Sequence, residues 1–180
     1  MTILITILLV LAGLIALVLL VALFTRKAYG ISRSIVIAKP RHEVFDYIRY
    51  LKNQKEYSKW VMTDPAKKEE FRGTDGQVGG VYYWNGNQKA GEGEQEITAL
   101  KEHERIDIEV RFIRPFAGLA TTPFVLETAG DHQTRVTWGM NSAMKYPMNI
   151  MLLIVNIEKM LGADLDISLI NLKRILETGK

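Results

Sequence analysis

The chain has 180 residues, 48% of them hydrophobic and 24% charged, with a formal net charge of +3. That balance is too small to point to nucleic acid as a partner. The absence of cysteine excludes a disulfide framework and any thiolate nucleophile or metal ligand.

The first feature in chain order is an apolar run over residues 3–24. Those 22 residues carry no charge, and Thr6 is their only polar side chain. About 20 such residues suffice for a helix to cross a hydrocarbon core of about 30 Å, so residues 1–25 are expected to form a transmembrane anchor. A cleaved signal sequence needs a basic leader, an apolar stretch of roughly 7–15 residues and a small-residue cleavage site. Only Met1 and Thr2 precede the run, and Leu23-Phe24-Thr25-Arg26 offers no such site. The flanking basic residues Arg26, Lys27, Arg33, Lys39 and Arg41 all lie C-terminal to it. By the positive-inside rule the expectation is a single-pass membrane protein whose C-terminal domain is cytoplasmic. Residues 26–59 hold nine Lys or Arg against three acids, and residues 60–180 hold fourteen against seventeen. The basic part is the part nearest the span, where each cation gains about 1 kcal/mol beside an anionic leaflet.

Residues 26–31 read as a short connector, and residues 32–178 as one domain of a size that suits a single core. Residues 32–38 read as a strand, and Pro40 opens a helix carrying Val44, Phe45, Ile48 and Leu51 at helical spacing. A second short helical piece around residues 54–59 leads to Trp60 and is broken by Asp64-Pro65.

The period then changes to two. Residues 68–72, 78–84 and 91–100 are strand candidates, with a two-residue hairpin turn expected at Asn85-Gly86. Ile106, Ile108, Val110 and Phe112 alternate with polar partners, Phe124 and Leu126 follow, and Val136, Trp138 and Met140 come after a turn at Gly130-Asp131. Repeated one-sided alternation predicts an antiparallel sheet with one wet and one covered face. Residues 147–177 read as one long helix whose stripe of Ile150, Ile154, Ile157, Leu161, Leu165, Leu169, Leu172 and Leu176 supplies the cover, with a bend expected at Gly162.

Catalytic and metal signatures are sparse. His42, His103 and His132 have no second ligand at metal spacing, no serine sits in a nucleophile elbow, and the glycines between residues 73 and 93 follow no phosphate-binding pattern. Glu92, Glu94 and Glu96 share one strand face that reads as the wet one. No cofactor and no metal site is expected, and the reading leans away from an enzyme.

The order strand, two short helices, meander of about six strands and long helix resembles the helix-grip fold of the START-like SRPBCC superfamily, which includes polyketide cyclases and lipid-transport proteins. The resemblance covers residues 32–177. It rests on Ile35-Val36-Ile37-Ala38-Lys39-Pro40 before Glu43-Val44-Phe45, on Trp60, and on Val78-Gly79-Gly80 leading to Tyr83-Trp84-Asn85-Gly86 and Gly91-Glu92-Gly93. Thr134-Arg135-Val136-Thr137-Trp138 and the stretch from Gly162-Ala163-Asp164-Leu165 to Leu172-Lys173-Arg174-Ile175-Leu176-Glu177 complete it. It implies an α+β fold: a curved antiparallel sheet of about seven strands around the C-terminal helix, with a cavity between them for a lipid or other small hydrophobic ligand.

The inward phase of the sheet and the facing side of the helix then assign the cavity wall to Tyr83, Phe112, Phe124, Trp138, Met140, Met148, Met151, Leu152 and Val155. The phase at Tyr83-Trp84 stays open, because a bulge at Gly79-Gly80 would reverse it. Inward polar candidates are few, with Gln95 and Asn141 nearby and Asn141 on the outward phase. Residues 148–155, greasy on all sides but Asn149, and the apolar connector 115–120 are expected to flank the entrance and face the bilayer. The expected function is membrane-tethered binding of an apolar ligand. The alternatives are a cyclase/aromatase-type enzyme using the same cavity, and a protein-interaction module whose core is filled.

Overall fold

A computed structural model of the chain describes residues 1–179. Helix α1 spans Thr2–Phe24 and projects from the rest: apart from Ala22, its residues are exposed. It is long and apolar enough to cross a membrane. Strand β1, Ala28–Ile37, begins after three intervening residues, earlier than the sequence pattern places it.

Helix α2, Arg41–Ile48, starts after Pro40 and buries Val44, Phe45 and Ile48. A 3-10 turn at Leu51–Asn53, the one-turn helix α3 at Gln54–Tyr57 and a second 3-10 turn at Val61–Thr63 follow. The meander is β2 Lys68–Arg72, β3 Val81–Asn85, β4 Glu92–Lys101, β5 Arg105–Arg114, β6 Gly118–Thr121, β7 Phe124–Gly130 and β8 Gln133–Ala143. One-turn helix α4, Met151–Ile154, precedes the long helix α5, Ile157–Thr178.

All pairings are antiparallel, in the order β1-β8-β6-β5-β4-β3-β2. Strands β6 and β7 both pair with β5 and with β8, so they share one lane interrupted at Thr122-Pro123. The sheet therefore has eight strands in seven lanes. Residues 115–120 were expected to be a connector; their last three form β6, where Ala120 is buried between β5 and β8 while Leu119 stays exposed.

Three further local expectations change. The turn after β3 is a six-residue loop closed by Gly86 N–H donating to Gly91 O at 2.8 Å, and Asn87 N–H is held by Asp64 Oδ2 at 2.8 Å. That external carboxylate replaces the two-residue turn suggested by Asn85-Gly86. The C-terminal helix is not continuous from residue 147. Val155 is extended, and the Asn156 side chain accepts from Lys159 N–H at 2.9 Å, so α5 starts with its own cap. Gly162 marks no break: α5 runs through it, and its bare Cα lies under the Arg33 guanidinium, which also pairs with Asp166 at 3.3 Å.

The core lies between the sheet and the helices. Leu165, Leu169 and Leu172 of α5 pack with Ile31 and Ile37 of β1 and with Val136 and Trp138 of β8. At its far end α5 is tied to β1 by Glu177, whose Oε1 accepts from Ala38 N–H at 2.6 Å. Phe124 is fully buried and stacks on Trp138 at 4.5 Å between centroids. Phe124→Ala is expected to cost about 3–5 kcal/mol in a denaturant titration of the full chain in detergent. Phe116→Ala, at a 75% exposed position, should stay within about 0.5 kcal/mol of the wild type.

Candidate functional site

A cavity of about 260 Å³ lies between the inner face of the sheet and the short helices that follow α2. Its floor is Tyr82 and Trp84 of β3, Gln95 of β4, Val110 and Phe112 of β5, and Trp138 and Met140 of β8. Gln54, Ser58, Trp60 and Val61 form the roof, and Leu161 of α5 closes one side.

Local sequence explains the floor. Tyr82 stands opposite Gln95 and Trp84 opposite Gly93, so these four share the inner face. Gly93 is bare for a reason: a Cβ there would lie 2.8 Å from the Trp84 ring and 2.6 Å from Arg111 O. The Trp84 indole thus lies flat over the neighbouring strand. Its Nε1 donates to Ala90 O at 3.0 Å.

The wall is apolar, but the polar groups in it are placed. Gln95 Nε2 donates to Gln54 Oε1 at 2.9 Å. Trp60 Nε1 donates to Asp164 Oδ2 of α5 at 3.0 Å, tying roof to helix. Gln54 and Trp138 are each 2% exposed, and among the described residues Gln54 Nε2 and Trp138 Nε1 have no hydrogen-bond partner. A buried donor without a partner costs about 1–3 kcal/mol, and both belong to residues of this cavity's lining.

Lys67 also lines the cavity, with a side chain only 7% exposed. Its Nζ donates to Val61 O at 2.7 Å and pairs with Glu69 at 2.9 Å, and Glu69 in turn accepts from the Tyr82 hydroxyl at 2.6 Å. Burial raises the Glu69 carboxyl, but hydrogen bonds from Tyr82 and Lys67 and the charges of Lys67 and Lys55 outweigh it. The net result is a pKa below the ordinary glutamate value. Burial, the Glu69 hydrogen bond and its charge push the Tyr82 hydroxyl above its usual value, which keeps it neutral.

Of the residues assigned to the wall from sequence, Phe112, Trp138 and Met140 line this cavity together. Phe124 does not line it; it fills the core behind Trp138. Tyr83 is on the opposite face, a correction forced by register: it pairs with Glu94, and its hydroxyl donates to Glu92 at 2.7 Å. Met148, Met151, Leu152 and Val155 lie outside the cavity wall, because the chain leaves the helical path at Val155 before α5 begins. Leu152 and Val155 instead line a separate surface depression of about 410 Å³ with Arg26 and Tyr29.

Gln54, Ser58, Trp60, Val61, Lys67 and Tyr82 were not assigned from sequence. Only Trp60 carried a signal, as a large aromatic after the short helices.

The outer face of the sheet is ionic. Arg111 bridges Glu94 at 2.8 Å, Glu96 and Glu109, and Arg72 also pairs with Glu94. The hydrogen bond from Arg111, with that from Arg72 and both charges, holds the Glu94 carboxyl below its usual range against the opposing effect of burial. This network cross-links β2, β4 and β5 rather than forming an acid/base pair.

The lining residues cluster toward one end of the sheet. The pairs Ala28 with Ala143, Phe112 with Gly118, Glu92 with Arg114 and Asn85 with Glu92 mark that end, and α1 joins the domain there. Phe112, Met140 and Trp84 come from the strand halves nearest it, and Leu161 from the first turns of α5.

No protein-family model and no curated protein matches the chain. Among solved structures it is similar to truncated norcoclaurine synthase from Thalictrum flavum, with a TM-score of 0.66 and 10% identity over 87% of this chain and 98% of that one. The same protein in complex with dopamine and hydroxybenzaldehyde gives a TM-score of 0.64 at 10% identity, covering 89% of this chain and 92% of that one. The Aha1 dimer from Colwellia psychrerythraea gives 0.54 at 18% identity, covering 84% and 98%. At such identities the likeness shows the fold alone, which is α+β and helix-grip.

A carboxyl with a depressed folded pKa adds stability that is complete above its unfolded pKa and is lost as pH falls through the folded value. Glu69→Gln removes that contribution. Denaturant titrations should show a smaller loss of stability for the variant than for the wild type between about pH 7 and about pH 3.

Proposed function

We propose that the chain is a membrane-tethered binding protein for a small hydrophobic ligand, with residues 1–25 as the span, 26–27 as the link and the ligand-binding domain running from β1 to residue 178. The observation that carries this reading is an apolar cavity in which two buried donors, Gln54 Nε2 and Trp138 Nε1, lack partners among the described residues. The proposed ligand is an apolar body with a carbonyl or carboxylate oxygen, which a small side-chain movement in the wall would bring to one of these donors.

At about 260 Å³ the cavity lies just below the roughly 300–1,000 Å³ of ordinary small-molecule sites. The ligand is accordingly a single ring system or one short acyl chain, not a whole two-chain lipid. The open volume speaks against a domain whose pocket is filled by its own side chains. One solved structure of norcoclaurine synthase holds dopamine and hydroxybenzaldehyde. Small aromatic molecules therefore fit the class of ligand this reading names. The Lys and Arg content of residues 26–59 supports placing the domain on the cytoplasmic side.

Val110→Phe puts a ring into the cavity from its floor. Native mass spectrometry of the full chain, released from detergent after purification from cells, is expected to show a bound small molecule on the wild type and none on V110F. A wild type that carries no ligand, and that binds none of a panel of apolar carbonyl and carboxylate compounds, would contradict the reading.

A further inference from the structure

The clearest unexplained feature outside the cavity is Asn149. It is 0% exposed, and its Nδ2 donates to Ala22 O at 2.7 Å and to Thr25 O at 2.9 Å. The last carbonyls of any helix lack partners within it. Here a side chain from the domain supplies a partner, and Ala22 is buried beneath it. The link between α1 and the domain is thus a second, non-covalent attachment in addition to the three residues of chain.

That attachment fixes what lies level with the end of α1. Flanking Asn149 are Met148 at 50% exposure, Leu153 at 62% and Ile154 at 74%. The β5–β6 turn at the same end of the sheet carries Phe116 at 75%. Arg26, Lys27 and Lys145 are exposed around them, with Glu158 the acid close by in the depression that Arg26 lines. Large apolar side chains rimmed by cations are the composition of a surface that sits in the headgroup region of a bilayer.

We infer that residues 146–154 and the Phe116 turn form a membrane-docking rim, whose occupant is the anionic bilayer that α1 crosses. Asn149 holds the rim against that bilayer. The cavity lining lies toward the same end of the domain, so the ligand enters from the lipid surface rather than from bulk water. This rests on α1 being a membrane span.

The chain has no cysteine, so single introduced cysteines carry a unique environment-sensitive fluorophore. Full-length variants Leu11→Cys, Phe116→Cys, Leu153→Cys and Asp131→Cys, labelled and reconstituted in phosphatidylcholine vesicles containing phosphatidylglycerol, separate the possibilities. Nitroxide lipids spin-labelled near the headgroup should quench positions 116 and 153 and leave 131 bright, while deep nitroxides quench position 11. Position 11 quenched, with 116 and 153 as bright as 131, would overturn the docking and leave the span intact. Labels at 116 and 153 shielded from water yet untouched by either nitroxide would mean that a second copy of the chain covers the rim, which also overturns it. An unquenched label at position 11 refutes the span and the docking together.

Discussion

A sheet of seven antiparallel lanes is too wide for one helix to cover. Lanes lie about 4.8 Å apart, so seven span roughly 29 Å, whereas a helix with its side chains is about 10–12 Å across. Helix α5 is used on the β1 side, where Arg33, Lys173 and Glu177 tie the two together. The other side of the inner face needs a second cover. That cover is the irregular segment from Leu51 to Thr63, too short and too broken to fill the space beneath it. The cavity is what remains.

The same mismatch goes with polar atoms left without partners in the roof and floor of the cavity. Where α5 and the roof meet, the contacts are specific: Trp60 bonds to Asp164, Ser168 Oγ accepts from Lys59 N–H at 2.9 Å, and Tyr57 and Trp60 both pack edge-on against Trp138. Gln54 Oε1 accepts from Gln95, while among the described residues Gln54 Nε2, Trp138 Nε1 and the Tyr57 hydroxyl have no partner. The outer face has the opposite character. Its Glu and Arg rows neutralise each other across strands. The domain is fixed at the end where the cavity lining gathers, because Asn149 caps α1 there.

Much of this was legible in the residues. The uncharged stretch of residues 3–24 announced α1, and alternation such as Ile106, Ile108, Val110 and Phe112 announced β5 with its correct inner face. The long amphipathic stripe found α5, since Leu165, Leu169 and Leu172 all face the core. What was not legible depends on contacts distant in sequence. Tyr83 and Trp84 are equally apt for burial, and only the register with Gly93 and Glu94 decides that Trp84 turns inward. The helical stripe continues through Ile154, but the Asn156 cap competes with it and ends the periodicity. Gln54 and Lys67 read as ordinary surface polar residues until the fold closes over them, so half of the cavity lining carried no pattern at all.

The three tryptophans provide an internal control for the central claim, that this cavity takes an apolar molecule through an acceptor oxygen. Trp60 and Trp84 already donate through Nε1, to Asp164 and to Ala90, whereas Trp138 does not. The decisive measurement is the set of indole N–H resonances of the full chain, followed during titration with small apolar carbonyl and carboxylate compounds. A downfield shift of the Trp138 indole, with the Trp60 and Trp84 hydrogen bonds preserved, is the predicted result. A Trp138 resonance that stays fixed for every compound, including any that the protein binds, would contradict it.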